Sequence, residues 1–296
     1  MPTPIFQAFE EALQNRPEGI SPYTVRGYVA DLERFGRWFE KTNGEGLRLR
    51  DVTPVDVRDY KAHLQTVKKF KPATINRRLA AIRAYFAWAI EEGLISEDPV
   101  RVHNVEEPQT APRSIGEREY HRLLRAVQKD GSKRDVAIVQ MLRHSGLRVG
   151  ELCNLELEDV KMSERKGKVI VRSGKGRRYR EVPLNLDARR ALQEYLADER
   201  PEVDDPHIFI GQRKNGLTEV AIQDIVRKYA ELAKLEGVTP HVLRHTFAKS
   251  LIDRGVDLVT VKHLMGHKRL DSTARYTKPS KRDLEVAVSR LELEEV

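Results

Sequence analysis

Apolar residues recur at helical spacing through the first third of the chain. Phe6, Phe9, Ala12 and Leu13 mark a short amphipathic helix. Val25, Val29, Leu32, Phe35 and Phe39 give a second helix one buried face, and Ser21-Pro22 supplies its N-cap with proline at the first helical position. Thr53-Pro54 opens a third helix over Val55 to Val67. Ile75, Leu79, Ile82, Phe86 and Ala89 line a fourth, from Thr74 to Ile90, which Gly93 ends. Its opposite face presents Asn76, Arg77, Arg78 and Arg83, residues that either hold phosphates or keep the surface hydrated.

The pattern breaks after Asp98. Pro99, Pro108 and Pro112 stand among polar residues with almost nothing to anchor a core, which predicts an interdomain linker. Helical spacing resumes from Glu117 to Gln128 and from Arg134 to Ser145, with a further helical turn from Glu151 to Leu155. The run Lys168-Val-Ile-Val-Arg172 then reads as a strand, Ser173-Gly-Lys-Gly176 as a hairpin turn, and Arg180-Glu-Val-Pro-Leu184 as the returning strand. Pro183 places that strand at an edge or at its own end. Asp187 to Leu196, Glu219 to Leu235 and Pro240 to Asp253 are again helical, and a short helix begins at Asp257 and stops at Gly266. Leu284, Ala287, Val288 and Leu291 outline an amphipathic tail helix. The expected fold class is mainly α: an N-terminal four-helix domain over 1–98, a linker over 99–114, and a larger α-rich domain over 115–296 with a small antiparallel β-sheet.

Charge sharpens this picture. The net charge is +8, and residues 1–105 carry 16 Lys and Arg against 14 Asp and Glu, leaving 37 against 31 for the remainder. Most of the excess therefore lies in the second part, where Lys166, Lys168, Arg172, Lys175, Arg177, Arg178 and Arg180 crowd the predicted hairpin. Such a basic balance favours a polyanionic partner. No apolar run is long enough for a membrane span or a signal peptide, so a soluble cytoplasmic protein with no membrane partner is expected. The single cysteine, Cys153, cannot build a disulfide framework or a thiolate metal cluster within one chain and reads as a core residue.

Candidate chemistry collects in the second domain. Arg148 lies in Gly-Leu-Arg-Val-Gly-Glu151, Lys175 in the hairpin turn, His241 and Arg244 in His-Val-Leu-Arg-His245, His267 after Gly266, and Tyr276 nine residues later. His241 and Arg244 fall three apart in the first turn of a helix, at the positive end of its dipole, where an oxyanion is welcome. The pairs His241/His245 and His263/His267 have a spacing that chelates zinc, but Val242 stands where a metalloprotease carries glutamate, and no cysteine is near. No metal is expected.

Attack by a tyrosine on a phosphodiester needs just this set of groups. A phenol titrates near pH ~10, so it needs a base or a strong positive field, and the leaving sugar oxygen needs a proton. Arginines neutralise the non-bridging oxygens with forked donors that keep their charge. A lysine in an arginine-rich site is a suitable proton donor. Imidazoles either handle the nucleophile's proton or bond the phosphate.

In this order and spacing the residues resemble the tyrosine site-specific recombinases, the family of phage integrases and Xer-type resolvases. Arg148 with Glu151 matches the first arginine and its acidic partner, Lys175 the hairpin lysine, His241-Val-Leu-Arg244-His245 the histidine and second arginine, Leu264-Met-Gly-His267 the third-box histidine, and Tyr276 the nucleophile. The resemblance covers nearly the whole chain, with the first domain similar to the family's core-binding domain and no room for an N-terminal arm-binding domain. It implies cleavage and rejoining of DNA strands through a 3′-phosphotyrosine link, without cofactor, metal or ATP. The implied partners are duplex core sites with inverted repeats and three further copies of the chain in a tetramer, with accessory proteins left open. Asn76, Arg77, Arg78, Arg83, Arg177 and Arg178 are the expected DNA contacts, and the tail helix docks either on a neighbouring protomer or on its own core. Rival readings are a type IB topoisomerase and a DNA-binding regulator that never cuts.

Overall fold

A computed structural model describes residues 4–16, 20–108, 112–173 and 178–267. The chain divides into two compact units, Met1–Gln109 and Thr110–Val296.

The first unit is built from α1 (Pro4–Gln14), α2 (Pro22–Asn43), α3 (Pro54–Thr66) and α4 (Pro72–Glu91). Local chemistry sets their ends. The Ser21 hydroxyl accepts the Thr24 N–H at 3.2 Å, and Gly44 closes α2 in the left-handed region at φ 78°. Thr53 and Asp56 cap α3 reciprocally, the carboxylate taking the Thr53 N–H at 2.8 Å. The predicted apolar stripes meet in one core around Phe6, Phe9, Leu32, Phe35, Leu79, Ile82 and Phe86, with Phe6 and Phe9 edge-on to Tyr85 at 5.2 and 5.3 Å between centroids.

Asp31 of α2 is fully buried beneath α4. It is tolerated there because it is surrounded by guanidinium groups: Arg77 clasps both its oxygens, Arg34 lies at 3.1 Å and Arg78 at 3.8 Å.

Residues 100–107 differ from the expected linker. Val100 is buried in the core of the first unit, and Val102 and Val105 pack against it. The Asn76 side chain donates to the Val105 carbonyl at 2.8 Å and accepts its N–H at 2.7 Å, Arg83 donates to the Val102 carbonyl at 2.6 Å, and Lys61 donates to the His103 carbonyl at 2.8 Å. Polar side chains of α3 and α4 thus satisfy the carbonyls of Val102, His103 and Val105 and the N–H of Val105, which lets a segment flanked by Pro99 and Pro108 lie down as a strap.

The second unit packs α5 (Glu117–Asp130), α6 (Lys133–Ser145), α7 (Val149–Cys153), α8 (Leu186–Asp198), α9 (Glu219–Leu232), α10 (Pro240–Asp253) and α11 (Leu258–Met265) with a sheet of β1 (Val160–Met162), β2 (Gly167–Ser173) and β3 (Arg178–Pro183). Helix α6 runs through its centre, with Ala137, Ile138, Val139, Met141 and Leu142 fully buried. The sheet is antiparallel in the order β1-β2-β3. Val169 faces Val182 and Val171 faces Arg180, so one face of the ribbon carries the core contacts. The short β1 was not expected. It pairs through only three residues, too few to show an alternation in sequence. Cys153 is buried and its thiol pushed up to about 12 by that burial and by Glu219, so it is chemically quiet.

Candidate active site

The site forms where α6, α7, β3, α10 and α11 converge. Helix α6 ends at Gly146, whose φ of 63° is left-handed and whose missing Cβ leaves room for the ring of Phe247. The chain then turns into α7 with Arg148 at its N-cap. Glu151 folds back on that arginine: its Oε2 accepts the Arg148 backbone N–H at 2.8 Å, and its Oε1 accepts Arg148 Nη1 at 2.7 Å.

Two more guanidinium groups reach the same carboxylate. Arg180 of β3 donates Nη1 to Oε1 at 3.0 Å and Nη2 to Oε2 at 2.7 Å, and Nη1 of Arg244, on α10, lies 3.8 Å from Oε2. Three positive charges therefore surround one negative charge, and the surplus favours an anion. Burial alone would push the Glu151 carboxyl up. The Arg180 hydrogen bonds, the Arg148 backbone N–H and the charges of both arginines outweigh that and hold it at about 2.

The same three arginines also hold the end of α11. Arg180 Nε donates to the Leu264 carbonyl at 3.0 Å, Arg244 Nη2 to the Met265 carbonyl at 2.5 Å, and Arg148 Nη2 to the Gly266 carbonyl at 3.0 Å. These are three consecutive carbonyls at the negative end of a helix, where acceptors lack intrahelical donors. His267 follows, half-buried, with its backbone N–H on the Lys262 carbonyl at 3.1 Å. Burial, then the charges of Arg244, Arg148, His245 and Arg180, push its imidazole down to about 4, so it is neutral at pH 7.

Of the residues expected from the sequence, Arg148, Glu151, Arg244 and His267 come together here. Arg244 is 5% exposed at its side chain and Arg148 43%, so one arginine is a fixed floor and the other faces outward. His241 is exposed on the first turn of α10 and meets His245 edge-on, their ring centroids 6.2 Å apart. Among the described residues no group of three or more His, Cys, Asp or Glu is arranged to hold a metal ion. Lys175, Arg177, Tyr276 and the tail helix expected near 284–291 lie outside the described residues. Arg178 begins β3.

In the first unit the four expected DNA contacts have structural partners. Asn76 and Arg83 hold the 100–107 strap, and Arg77 and Arg78 surround Asp31, although Arg77 remains 49% exposed at its side chain. Arg34, Arg37, His63 and Lys68 line a neighbouring pocket with Arg78 and Trp38.

Sequence reasoning missed Arg180, which it counted only as part of a basic run. Strand parity could have found it, since Arg180 lies two residues from the buried Val182 and on the same face.

Residues 113–283 match the phage integrase family, and residues 6–93 match the phage integrase N-terminal SAM-like domain. The chain belongs to the phage integrase family. Tyrosine recombinase XerC of Thermodesulfovibrio yellowstonii is 35% identical over 271 residues, covering 88% of this chain and 87% of that one. Tyrosine recombinase XerA of Pyrococcus furiosus is 34% identical over 280 residues, covering 93% and 90%. Among solved structures, the Tn1549 transposon integrase in complex with transposon right-end DNA has a TM-score of 0.77 at 19% identity, covering 97% of this chain and 99% of that one. XerH bound to a palindromic difH substrate has a TM-score of 0.76 at 23% identity, covering 90% and 80%. At these identities the two structures establish that this integrase-family chain shares their fold. No helix among the described residues is long and apolar enough to cross a membrane.

Proposed function

We propose that the chain is a site-specific DNA recombinase that breaks and rejoins strands through a covalent 3′-phosphate link to Tyr276. The observation that carries this reading is the surplus of guanidinium charge around Glu151, in a family of tyrosine recombinases. The relatives named for DNA complexes, bound to a difH substrate and to transposon right-end DNA, support duplex DNA as the partner.

In the proposed reaction Arg148 and Arg244 bind the non-bridging oxygens of the scissile phosphate, and the Tyr276 phenol oxygen attacks phosphorus. The bond to the 5′ oxygen breaks and Lys175 protonates that oxygen. His267, neutral at pH 7, and His241 accept the phenol proton or bond the phosphate. The freed 5′ hydroxyl of a partner duplex then attacks the phosphotyrosine and releases the enzyme. One phosphoester replaces another, so no ATP is required, and the guanidinium groups of Arg148 and Arg244 supply the charge neutralisation that a metal would otherwise give. Glu151 holds Arg148 in place rather than reacting. Residues 115–296 serve as the catalytic domain and the first unit as the core-binding domain, with Arg34, Arg37, Lys68 and the outer edge of Arg77 as its basic surface. Four copies act together on two sites, in the cytoplasm.

The test uses a supercoiled plasmid carrying, in the same orientation, two copies of an inverted-repeat core site taken from DNA flanking the gene. Recombination gives two smaller circles. Relaxation without circle formation, with or without the sites, would point instead to a topoisomerase.

A further inference from the structure

Three arginines meet at Glu151, yet the reaction proposed above uses two. The third, Arg180, is only 11% exposed at its side chain, and all three of its guanidinium nitrogens donate to protein oxygens. Nη1 and Nη2 meet the two Glu151 oxygens fork to fork, and Nε points the other way, to the carbonyl of Leu264. Its guanidinium plane also lies against Gly266, where an added Cβ would fall 2.6 Å from Nη1 and 2.8 Å from Cζ.

We propose that Arg180 is a positioning residue for strand cleavage: it fixes Glu151 and the end of α11 relative to each other, and so sets where Arg148, Arg244 and His267 stand around the scissile phosphate. This inference rests on the recombinase reading.

The geometry explains why an arginine is needed. Glu151 takes four donors, two from Arg148 and two from Arg180, which is the capacity of a carboxylate. With Arg180 absent, one side of the carboxylate is undonated and the carboxylate can rotate away from Arg148. The Leu264 carbonyl also loses its donor, while the Met265 and Gly266 carbonyls still pull on Arg244 and Arg148. The two phosphate-binding arginines then follow a helix end that is no longer held. A lysine keeps the charge but offers one point where the site asks for a fork and a third donor in the opposite direction.

The experiment measures single-turnover formation of the covalent protein–DNA adduct on a nicked core-site duplex, at saturating DNA, for wild type, Arg180→Ala and Arg180→Lys. Both variants are expected to bind the duplex within a few-fold of wild type, because Arg180 is buried, and to form adduct roughly 10- to 100-fold more slowly, as losing a supporting partner does. A second readout is the pH profile between pH 5 and 8. Glu151 is ionised throughout this range in wild type, at about 2. Without Arg180 its proton affinity rises, so the variants lose rate more steeply than wild type toward pH 5. A purely structural role would lower the melting temperature and leave the rate of the folded fraction and its pH profile unchanged. Wild-type rates in both folded variants, or pH profiles that superimpose on wild type, overturn the proposal. If Arg180→Ala does not fold, Arg180→Lys and Glu151→Gln decide it: both must show the rate loss at near-normal DNA binding. A wild-type protein that forms no adduct overturns the recombinase reading itself, whereas equal adduct formation by wild type and variants overturns only the role of Arg180.

Discussion

Arg148 Nη2 meets the carbonyl of Gly266 at 3.0 Å, joining α7 to the end of α11 across 118 residues of chain. The arginines proposed to bind phosphate are therefore not loose side chains awaiting DNA. Their guanidinium planes are already fixed by backbone carbonyls and by Glu151, which limits the reorganisation needed when a phosphate arrives.

The two arginines assigned to phosphate should fail differently. Arg244 is buried against the carbonyls of Gly146 and Met265, so Arg244→Ala leaves two buried acceptors unsatisfied and should lower stability by about 3 kcal/mol as well as abolish adduct formation. Arg148 is nearly half exposed, so Arg148→Ala should abolish adduct formation with a smaller loss of stability. Chemical denaturation of the two variants, run beside the adduct assay, checks this. A strong chelator should leave wild-type cleavage intact.

Much of the fold was legible because the helix stripes are long and their caps are local: Ser21-Pro22 and Thr53-Pro54 each placed a helix start within a residue or two. The grouping of Arg148, Glu151, Arg244 and His267 was legible from their order and local sequences. What escaped were features made by distant partners. The 100–107 strap looked like a linker because its backbone is satisfied by Asn76, Arg83 and Lys61, and no local pattern announces that. Arg180 was hidden in a run of like charges, although its strand neighbours point it inward.

Acid should weaken the second unit in two windows. His144, buried beside Arg143, and His267 are both pushed down to about 4 from an ordinary 6.5. The unfolded chain protonates them below 6.5 and the folded chain does not until about 4. Their contribution is thus fully present above 6.5 and is lost as pH falls toward 4. Glu151, at about 2 against an ordinary 4.5, contributes above 4.5 and loses that contribution as pH falls toward 2. Urea unfolding at stepped pH should show both declines, with the lower one reduced in Glu151→Gln. An unchanged lower decline in that variant would contradict the assignment.

Gly266→Ala tests the close approach of α11. The residue sits at φ 61°, and an added Cβ would fall 2.6 Å from Arg180 Nη1. Backbone strain of roughly 1–3 kcal/mol is expected, with loss of cleavage beyond the loss of stability because the Arg180 plane is displaced. Gly255, also left-handed but with nothing within 4 Å of its Cβ position, is the control: Gly255→Ala should lose stability alone.

Lys175 is assigned the proton for the leaving 5′ oxygen. Lys175→Ala should cleave ordinary DNA slower by ~10²-fold or more, yet recover most of its rate on a duplex with a 5′-bridging phosphorothiolate, whose sulfur leaves without a proton. Arg244→Ala should gain nothing from the sulfur, since non-bridging oxygens need neutralising whichever atom leaves. Equal rescue of both, or of neither, would remove Lys175 from the acid role.

Tyr276, as the proposed nucleophile of a strand-cleaving enzyme, should be found covalently joined to the 3′ phosphate of the cut strand. On a nicked core-site duplex that lets the cut fragment diffuse away, wild type should accumulate a denaturant-resistant protein–DNA adduct, and digestion followed by mass spectrometry should place the nucleotide on the peptide containing Tyr276. Tyr276→Phe should bind the same duplex and give no adduct. Adduct at wild-type yield in Tyr276→Phe, or a nucleotide mapped to another residue in wild type, would contradict the account.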